Sequence, residues 1–399
     1  MSGEINQWII FIIDFISFFC YACFMQHYYH CLKTNKIYHK LAKVCQPDLY
    51  YEYIEILYGY EKIKKLSVSQ KIKFLNHLLP IQKNSVNLGE GNTPLIKIDK
   101  FFAVCHNHKV YVKNEAQNPT GSFKDRESAI VISKAKELKH KKVFIVSSGN
   151  AALSAAVYAN KAEIKCECFI PKHTSKAKKQ MLKLYNADFH LMGGDYESIY
   201  RQVVDNPLPD AWNITGGQNF FREEGSKKIA YEIWKDIGVP DVIIVPIGNG
   251  TLFSAIYKGF KELKNVGLTN KIPKMIGVQI RKASPIKEAL KQKKDYVVLN
   301  KIPDSIAEGI IARESYSSPK VIRAIKESQG EIIEVTDQET VRVLGDIIQI
   351  ESLTPEPTSA TVYAALRKLG FTNKRRLKIV CIQTGSGMKN LEEILKLLN

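Results

Sequence analysis

The chain has 399 residues, of which 45% are hydrophobic and 25% charged, so it is long enough for a large core and is not a disordered chain. Its net charge of +18 suits an anionic partner such as nucleic acid, a membrane face or a phosphorylated small molecule. Most lysines lie singly on the polar faces of predicted helices without a nucleic-acid-binding motif, which favours a small anionic molecule over nucleic acid.

Residues 8–24 read WIIFIIDFISFFCYACF, a hydrophobic run that is broken by one acidic residue, Asp14. No Lys or Arg precedes the run, so it lacks the positive region of a secretory signal. A membrane helix here would be at the lower limit of length, and Asp14 disfavours it. The alternatives are a helix that is buried or faces a partner, and a true start at Met25. We expect residues 1–24 to contribute nothing to the chemistry, so a chain that begins at Met25 should keep its solubility and activity.

Residues 25–85 are rich in Tyr and Lys, and their segment LYYEYIEILYGYEKIKKL has helical periodicity. This pattern predicts a small, mainly helical or degenerate extension. Together with the hydrophobic run, it makes residues 1–87 a region separate from the rest of the chain.

From about residue 88 onward, strand-like runs alternate with helical stretches. The runs are KVYVKNE, KVFIVS, KCECFIP, DFHLMG, DVIIVPI, KMIGVQI, EIIEVTD and LKIVCIQT. This alternation predicts an α/β fold with mostly parallel sheets, in which functional loops lie at the carboxyl ends of the strands.

The segment 118–126, NPTGSFKDR, connects the first of these strands to a predicted helix. Ser122 and Asp125 have the spacing of a capping box at the start of that helix. Lys124 then lies in the first turn, where backbone N–H groups and the helix dipole lower the cost of deprotonating its ammonium. A neutral lysine is a nucleophile towards carbonyl groups, whereas a lone solvated lysine has no such role.

Two glycine-containing turns each lead from a predicted strand into a helix. The first, 147–150, reads SSGN, and the second, 248–250, reads GNG and continues with Thr251 and Leu252. Small residues at a helix N-terminus present backbone N–H groups to an anion. Taken alone, each is equally compatible with an ordinary tight turn.

These motifs resemble those of threonine synthases and their relatives among the fold type II pyridoxal-phosphate (PLP) enzymes. The match around Lys124 is specific in residue order and spacing, and stretches such as LGEGNTPLIKI and EPTSATVYAAL extend the resemblance over about residues 88–390. It implies a homodimer of chains with two α/β domains and PLP in the cleft. The smaller domain would be about residues 115–230, and the larger would combine 86–114 with 231–399.

The resemblance also implies roles for individual residues. Lys124 would bind PLP as a Schiff base and then act as acid and base, Asn150 would hydrogen-bond the PLP 3′-oxygen, and Thr384 would face the pyridine nitrogen. A hydroxyl there makes the ring a weaker electron sink than a carboxylate would, which suits elimination and replacement at the β and γ carbons. The implied cofactor-binding residues are Phe123, Lys124, Asn150, Gly248, Asn249, Gly250, Thr251, Leu252 and Thr384. The implied residues for the substrate carboxylate are Ser147, Ser148, Gly149, Asn150 and Ala151.

The cysteines predict neither a disulfide framework nor a metal site. Eight cysteines are scattered over the chain, so the cytosol is the expected compartment. Many threonine synthases carry an N-terminal zinc ribbon, but here Thr34 and Asp48 stand where the second thiol of each pair would be. Two missing thiols leave little affinity for zinc.

The sequence also departs from its relatives. It has DRES where they often have DRGM, GNGTL where they have GNGGN, and IAEGIIARESYSSP from Ile306 where they have IATAIRIGNP. The last segment lies where substrate side chains are usually read, so Glu308 and Arg313 bear on the identity of the substrate.

The function implied by the resemblance is conversion of O-phosphohomoserine and water to threonine and phosphate. The candidates for binding the leaving phosphate are Thr120, Ser122, Arg126, Arg222 and Lys227. Arg126 and Arg222 could instead pair with Asp125, Glu223 or Glu224 on helix surfaces. The alternatives are an ammonia-lyase or β-replacement enzyme that acts on serine or threonine, and a non-catalytic paralogue. Intact Lys124, Asn150, the GNG loop at 248–250 and Thr384 disfavour the last, because a protein that only binds has no need for all four.

Overall fold

The computed structural model describes residues 27–40, 53–81, 86–101, 108–194, 196–206, 208–370 and 376–398. Within these ranges the β-strands are β1 His27–Cys31, β2 Lys36–Tyr38, β3 Ile54–Tyr58, β4 Leu95–Ile98, β5 Lys109–Asn114, β6 Lys142–Val146, β7 Lys165–Pro171, β8 Asp188–Met192, β9 Ala211–Asn213, β10 Val242–Pro246, β11 Lys274–Ile280, β12 Glu331–Val335 and β13 Lys378–Gln383. The α-helices of the same ranges are α1 Tyr60–Lys64, α2 Val68–Leu75, α3 Lys124–Glu137, α4 Asn150–Ala162, α5 Lys176–Leu184, α6 Tyr196–Asp205, α7 Phe221–Ser226, α8 Lys228–Ile237, α9 Thr251–Asn265, α10 Pro285–Lys291, α11 Ser318–Glu327, α12 Asp337–Glu351, α13 Pro357–Leu369 and α14 Leu391–Leu398. Short 3₁₀ helices cover Glu115–Gln117, Glu308–Ile310 and Gly387–Asn390.

The core is organised around two sheets of mainly parallel strands. The larger has the order β12-β11-β10-β13-β5-β4, and its neighbouring strands are parallel except for β4, which is antiparallel to β5. The smaller has the order β8-β7-β6-β9 and is parallel throughout. Strand β10, VIIVP, is buried along its whole length, as expected in a parallel sheet covered on both faces. The eight predicted strand runs are confirmed, whereas the sequence pattern misses the short strands β4 and β9.

The strands of each sheet come from separate parts of the chain. The smaller sheet uses residues 142–213, and the larger uses residues 95–114 and 242–383. These segments fall within the expected small and large α/β domains, respectively. The domain bounds themselves remain a prediction.

The prediction that the N-terminal extension is mainly helical is wrong for its described part. Strands β1, β2 and β3 form an antiparallel sheet in the order β2-β1-β3, and only α1 and α2 follow it within residues 53–81. The error has a physical reason, because Ile54, Ile56 and Tyr58 are buried with a period of two, and β-branched and aromatic residues suit a strand. The hydrophobic run at residues 8–24 lies outside the described residues.

This N-terminal sheet is attached to the rest of the protein through a cluster of buried charges, which we call the Lys227 cluster. The hydroxyl of Tyr58 donates to Glu224 Oε2 at 2.6 Å, and Lys227 Nζ lies 2.6 Å from the same oxygen and 3.1 Å from Glu262 Oε2. Lys258 pairs with both carboxylates, at 2.8 Å and 2.6 Å. Because each carboxylate meets two ammonium groups, the charges of the cluster balance without water.

None of the helices in the described ranges is long and apolar enough to cross a bilayer. The same ranges hold no group of three or more His, Cys, Asp or Glu residues arranged to bind a metal ion.

Candidate active site

A cavity of about 340 Å³ lies where the loops after several parallel strands meet, a size typical of small-molecule sites. The loops follow β5, β10 and β13 of the larger sheet and β6 of the smaller sheet, so both sheets contribute walls. Every cofactor and substrate residue expected from the sequence lines this cavity: Phe123, Lys124, Ser147, Ser148, Gly149, Asn150, Ala151, Gly248, Asn249, Gly250, Thr251, Leu252 and Thr384.

Lys124 is the first residue of α3, as predicted, but the predicted capping box does not form. The carboxylate of Asp125 instead accepts hydrogen bonds from the backbone N–H and the hydroxyl of Thr120, both at 2.6 Å. Ser122 forms a β-bridge with Gly385, and its buried hydroxyl has no partner. These contacts tie the start of α3 to the loop after β13, so the turn is fixed by a distant strand end rather than by its own helix.

The amino group of Lys124 is in a partly buried, mixed electrostatic environment. It lies 3.2 Å from Glu127 Oε2 and 4.2 Å from the centre of the Phe123 ring. Burial lowers the pKa of the Lys124 ammonium, and Arg222 lowers it further, whereas Glu127 and Glu356 oppose the shift. The net direction favours the neutral, nucleophilic amine that the position on the helix suggests.

The loop after β10 forms a cradle at the N-terminus of α9. Gly250 has a φ of +89°, and a Cβ there would lie 2.6 Å from Val321 Cγ2, so a side chain would be strained and crowded. The buried hydroxyl of Thr251 is without a partner, although a buried donor normally has one. Backbone donors at the start of a long helix and an unused hydroxyl together fit a phosphate group.

The SSGN turn, residues 147–150, contributes another part of the cavity wall. A Cβ at Gly149 would meet no atom within 4 Å, so the backbone of this turn is open to a ligand. Asn150 begins α4, where its amide donates to Glu356 Oε2 at 2.8 Å and its carbonyl accepts from Lys389 Nζ at 2.6 Å. These two partners fix the orientation of the Asn150 side chain in the cavity.

Glu356 also lines the cavity, and the sequence analysis gives it no role. Its carboxylate accepts from the Asn150 amide and, at 3.4 Å, from the Thr384 hydroxyl. Thr384 also shares a 2.8 Å hydrogen bond with Ser359. The signal in the sequence is the Glu-Pro pair at the start of α13, which lies inside the stretch EPTSATVYAAL.

The five candidates for binding a leaving phosphate are a wrong prediction, because none of them lines the cavity. The three cations are buried and already paired with carboxylates: Arg126 with Glu115 and Glu232, Arg222 with Glu127, and Lys227 with Glu224 and Glu262. Thr120 is engaged by Asp125, and Ser122 is buried in its turn. The alternative ion pairs do not form either: Arg126 does not pair with Asp125, and Arg222 does not pair with Glu223 or Glu224.

A different cation, Lys178 of α5, lines the cavity. Its amino group pairs with Glu308 Oε2 at 3.0 Å, and the side chain of Lys178 is partly exposed while that of Glu308 is exposed. The pair joins a helix beside the smaller sheet to the 3₁₀ helix at Glu308–Ile310. Glu308 thus lies at the cavity, as its segment predicts, whereas the guanidinium of Arg313 donates to the backbone carbonyl of Leu299.

The sequence model of the family described as pyridoxal-phosphate-dependent enzymes matches residues 86–385, which is most of the chain and includes every cavity residue expected from the sequence. The chain belongs to this family. Its fold is the α/β fold type II architecture with mostly parallel sheets, and its cofactor is PLP.

Curated relatives within this PLP-dependent family include threonine synthases. The threonine synthase of Methanocaldococcus jannaschii is 34% identical over 378 residues, which cover 90% of this chain and 92% of the relative. That of Methanosarcina acetivorans is 33% identical and covers 87% of each chain. The protein is therefore a threonine synthase-like, PLP-dependent lyase whose substrate is a small amino acid.

Solved structures of other PLP-dependent enzymes share the fold. Threonine deaminase isoform 2 of Solanum lycopersicum superposes with a TM-score of 0.68 at 19% identity, over 83% of this chain and 89% of that one. An L-serine ammonia-lyase of Rhizomucor miehei superposes with a TM-score of 0.66 at 17% identity, over 77% of this chain and 98% of that one. At such identities the similarity shows the fold alone.

Proposed function

We propose that the protein converts O-phosphohomoserine and water to threonine and phosphate. The observation that carries the proposal is the meeting, in one cavity, of a lysine with a lowered pKa, a phosphate cradle and an open glycine turn. The curated threonine synthases, which match almost the whole chain, support the same reaction. When bound, PLP supplies the electron sink that stabilises negative charge on the substrate carbons.

The residues of the cavity fit this cofactor. The backbone N–H groups of residues 248–252 and the free hydroxyl of Thr251 would hold its phosphate, and Lys124 would hold its carbonyl carbon. Asn150 would hydrogen-bond the 3′-oxygen, and Thr384 would donate to or accept from the ring nitrogen. The ring of Phe123 lines the cavity beside the amino group of Lys124.

The remaining steps belong to the protein side chains. Residues 147–151 would bind the substrate carboxylate through backbone N–H groups at the start of α4. Lys124 would remove the proton from the α carbon and later return a proton to the substrate, because it is the basic group with a lowered pKa in the cavity wall. A proton also leaves the β carbon as phosphate leaves the γ carbon. The γ carbon then takes up a proton, and water adds at the β carbon while a proton returns to the α carbon.

The assay that tests the reaction supplies O-phosphohomoserine to the purified, PLP-loaded protein. We expect inorganic phosphate and threonine in equal amounts. The competing hypothesis is an ammonia-lyase, the activity named for an L-serine ammonia-lyase that shares the fold. Release of ammonia and an oxo acid from serine or threonine, with O-phosphohomoserine left intact, would replace our proposal by that one.

Lys178 takes the role that the five sequence candidates do not fill, as the cation for the leaving phosphate. Replacing Lys178 with alanine should lower kcat/KM for O-phosphohomoserine by about 10- to 100-fold, the effect of losing one charge-assisted hydrogen bond. Lys178→Arg should retain most of the activity. Lys176→Ala removes an exposed lysine from the same helix and serves as the control. Equal rates for Lys178→Ala and Lys176→Ala would show that Lys178 does not bind the phosphate.

We also propose that the enzyme is a homodimer and that it is cytoplasmic. Met388 and the leucines Leu391 and Leu395 of α14 are exposed apolar side chains close to the cavity residue Asn390, and they support self-association as a homodimer. Sedimentation of the protein with Leu395→Lys against the unchanged chain tests this contact.

A cytoplasmic location agrees with a small phosphorylated metabolite as substrate and with Cys166 and Cys168 as free thiols.

A further inference from the structure

Beneath the amino group of Lys124 lies a buried pair of opposite charges, Glu127 and Arg222. Glu127 Oε2 is 3.2 Å from Lys124 Nζ and 2.9 Å from both Nε and a terminal nitrogen of Arg222. Neither Glu127 nor Arg222 is exposed to solvent. One oxygen of the carboxylate thus contacts both the amino group that lines the cavity and the guanidinium of Arg222.

Two helices, α3 and α7, bring these side chains together. Glu127 lies three residues after Lys124 on α3, so both side chains project from the same face. Helix α7 approaches α3 closely at Gly225, where a Cβ would collide with the backbone carbonyl of Arg126. This approach brings Arg222 over Glu127, and a 3.0 Å hydrogen bond to the carbonyl of Ile214 fixes the guanidinium.

The pair also marks a departure from the relatives that the sequence resembles. Where those often have DRGM, this chain has DRES, so a glycine position is occupied here by Glu127. A buried ion pair is costly to desolvate and does not by itself add stability. Its contact with Lys124 therefore points to a role at the lysine.

We propose that Glu127 is a positioning residue for Lys124. Its carboxylate, fixed by Arg222, orients the amino group at the cavity wall and stabilises the ammonium that forms when Lys124 takes a proton from the substrate. The inference rests on Lys124 as the cofactor lysine of the proposed function. It assigns Glu127 to a step in which the lysine changes charge.

The proton balance is simple. Lys124 accepts the proton from the α carbon and becomes an ammonium, while the electron pair of the broken C–H bond stays on the substrate. Glu127 accepts a hydrogen bond from that ammonium and remains ionised, with its own charge balanced by Arg222. Lys124 then returns the proton to the substrate, so the enzyme regains its starting charge.

Three charged groups act on this amino group from the helices around it. Glu127 of α3 and Glu356 at the start of α13 raise the pKa of Lys124, whereas Arg222 of α7 lowers it, as does burial. Removal of the Glu127 charge leaves burial and Arg222 less opposed. The pKa of the Lys124 nitrogen should then fall, with or without the cofactor.

The test compares Glu127→Gln with the unchanged protein through the visible absorbance of lysine-bound PLP as the pH rises. We expect the protonated, visible-absorbing form to be lost about one to three pH units lower in the variant. We also expect kcat for phosphate release to fall about 10- to 100-fold with little change in KM. In the PLP-free chain, competitive acetylation followed by mass spectrometry should give the same downward shift for Lys124.

The same helix offers a matched control. Lys134 and Glu137 form another lysine and glutamate pair at a spacing of three, 2.7 Å apart and away from the cavity residues. Glu137→Gln should leave the absorbance titration and kcat unchanged. If Arg222, left unpaired, prevents Glu127→Gln from folding, the double variant Glu127→Gln, Arg222→Gln removes both charges and should show a smaller shift of the same sign.

The outcomes separate this inference from the proposed function. Borohydride reduction and peptide mapping of the unchanged protein should find PLP on Lys124. If PLP is on Lys124 but Glu127→Gln keeps the original titration and pH profile, Glu127 is only structural and the inference is overturned while the function stands. A label on another lysine would overturn both the site and the inference.

Discussion

Lys124→Ala is expected to reduce the release of phosphate from O-phosphohomoserine by about 10⁴-fold or more, because it would remove the proposed covalent anchor and the proposed base in one change. The variant should also lose the visible absorbance of lysine-bound PLP, whereas residues 248–252, which we propose hold the cofactor phosphate, stay unchanged. Continuous phosphate assay and an absorbance spectrum after PLP loading measure the two effects.

The control for this change is Lys136→Ala, which removes an exposed lysine from the same helix. It should retain full activity and colour, since Lys136 does not line the cavity. A Lys124→Ala protein that stays coloured and active would place the chemistry at another lysine.

The second large effect is expected on stability, in the Lys227 cluster. Lys227→Met keeps the volume of the side chain but leaves Glu224 and Glu262 with only Lys258 to balance them. Breaking a buried ion pair from one side costs about 3–5 kcal/mol of unfolding free energy. Unfolding in urea, followed by circular dichroism, should show this loss.

A surface ion pair provides the comparison. Lys274 pairs with Glu331 at 2.6 Å, but both side chains are more than one-third exposed. Lys274→Ala should change the unfolding free energy by at most about 1 kcal/mol. If Lys227→Met proved equally mild, the charges of the cluster would not contribute to stability in the way their burial implies.

The parallel core was predictable from the sequence because strands such as β10, VIIVP, and β13, KIVCIQ, are apolar runs rich in Val and Ile. Strand β13, KIVCIQ, is buried from its second residue onward, and a polar loop that contains Thr384 follows it. The carboxyl ends of parallel strands lie at the same edge of a sheet. The motifs that follow β5, β10 and β13 are therefore expected to lie close together. The family resemblance, rather than the strand pattern, predicted that the loop after β6 belongs to a second α/β domain.

Local patterns were less informative where distant partners decide the structure. The spacing of Ser122 and Asp125 suits a capping box, yet Thr120 binds the aspartate and Gly385 pairs with the serine. Arg222 has acidic neighbours in sequence but bonds to Glu127, which is 95 residues away. Such pairings depend on how helices pack, which no local window of sequence contains.

The N-terminal sheet has a consequence for how the chain folds during synthesis. Its contacts reach far along the sequence, since Tyr58 bonds to Glu224, Tyr60 to Glu262, and Glu55 to Arg323. None of these partners exists when strands β1 to β3 leave the ribosome. This early-synthesised sheet is thus among the last parts to gain its stabilising contacts, and until Arg323 emerges its apolar face must be kept from other chains.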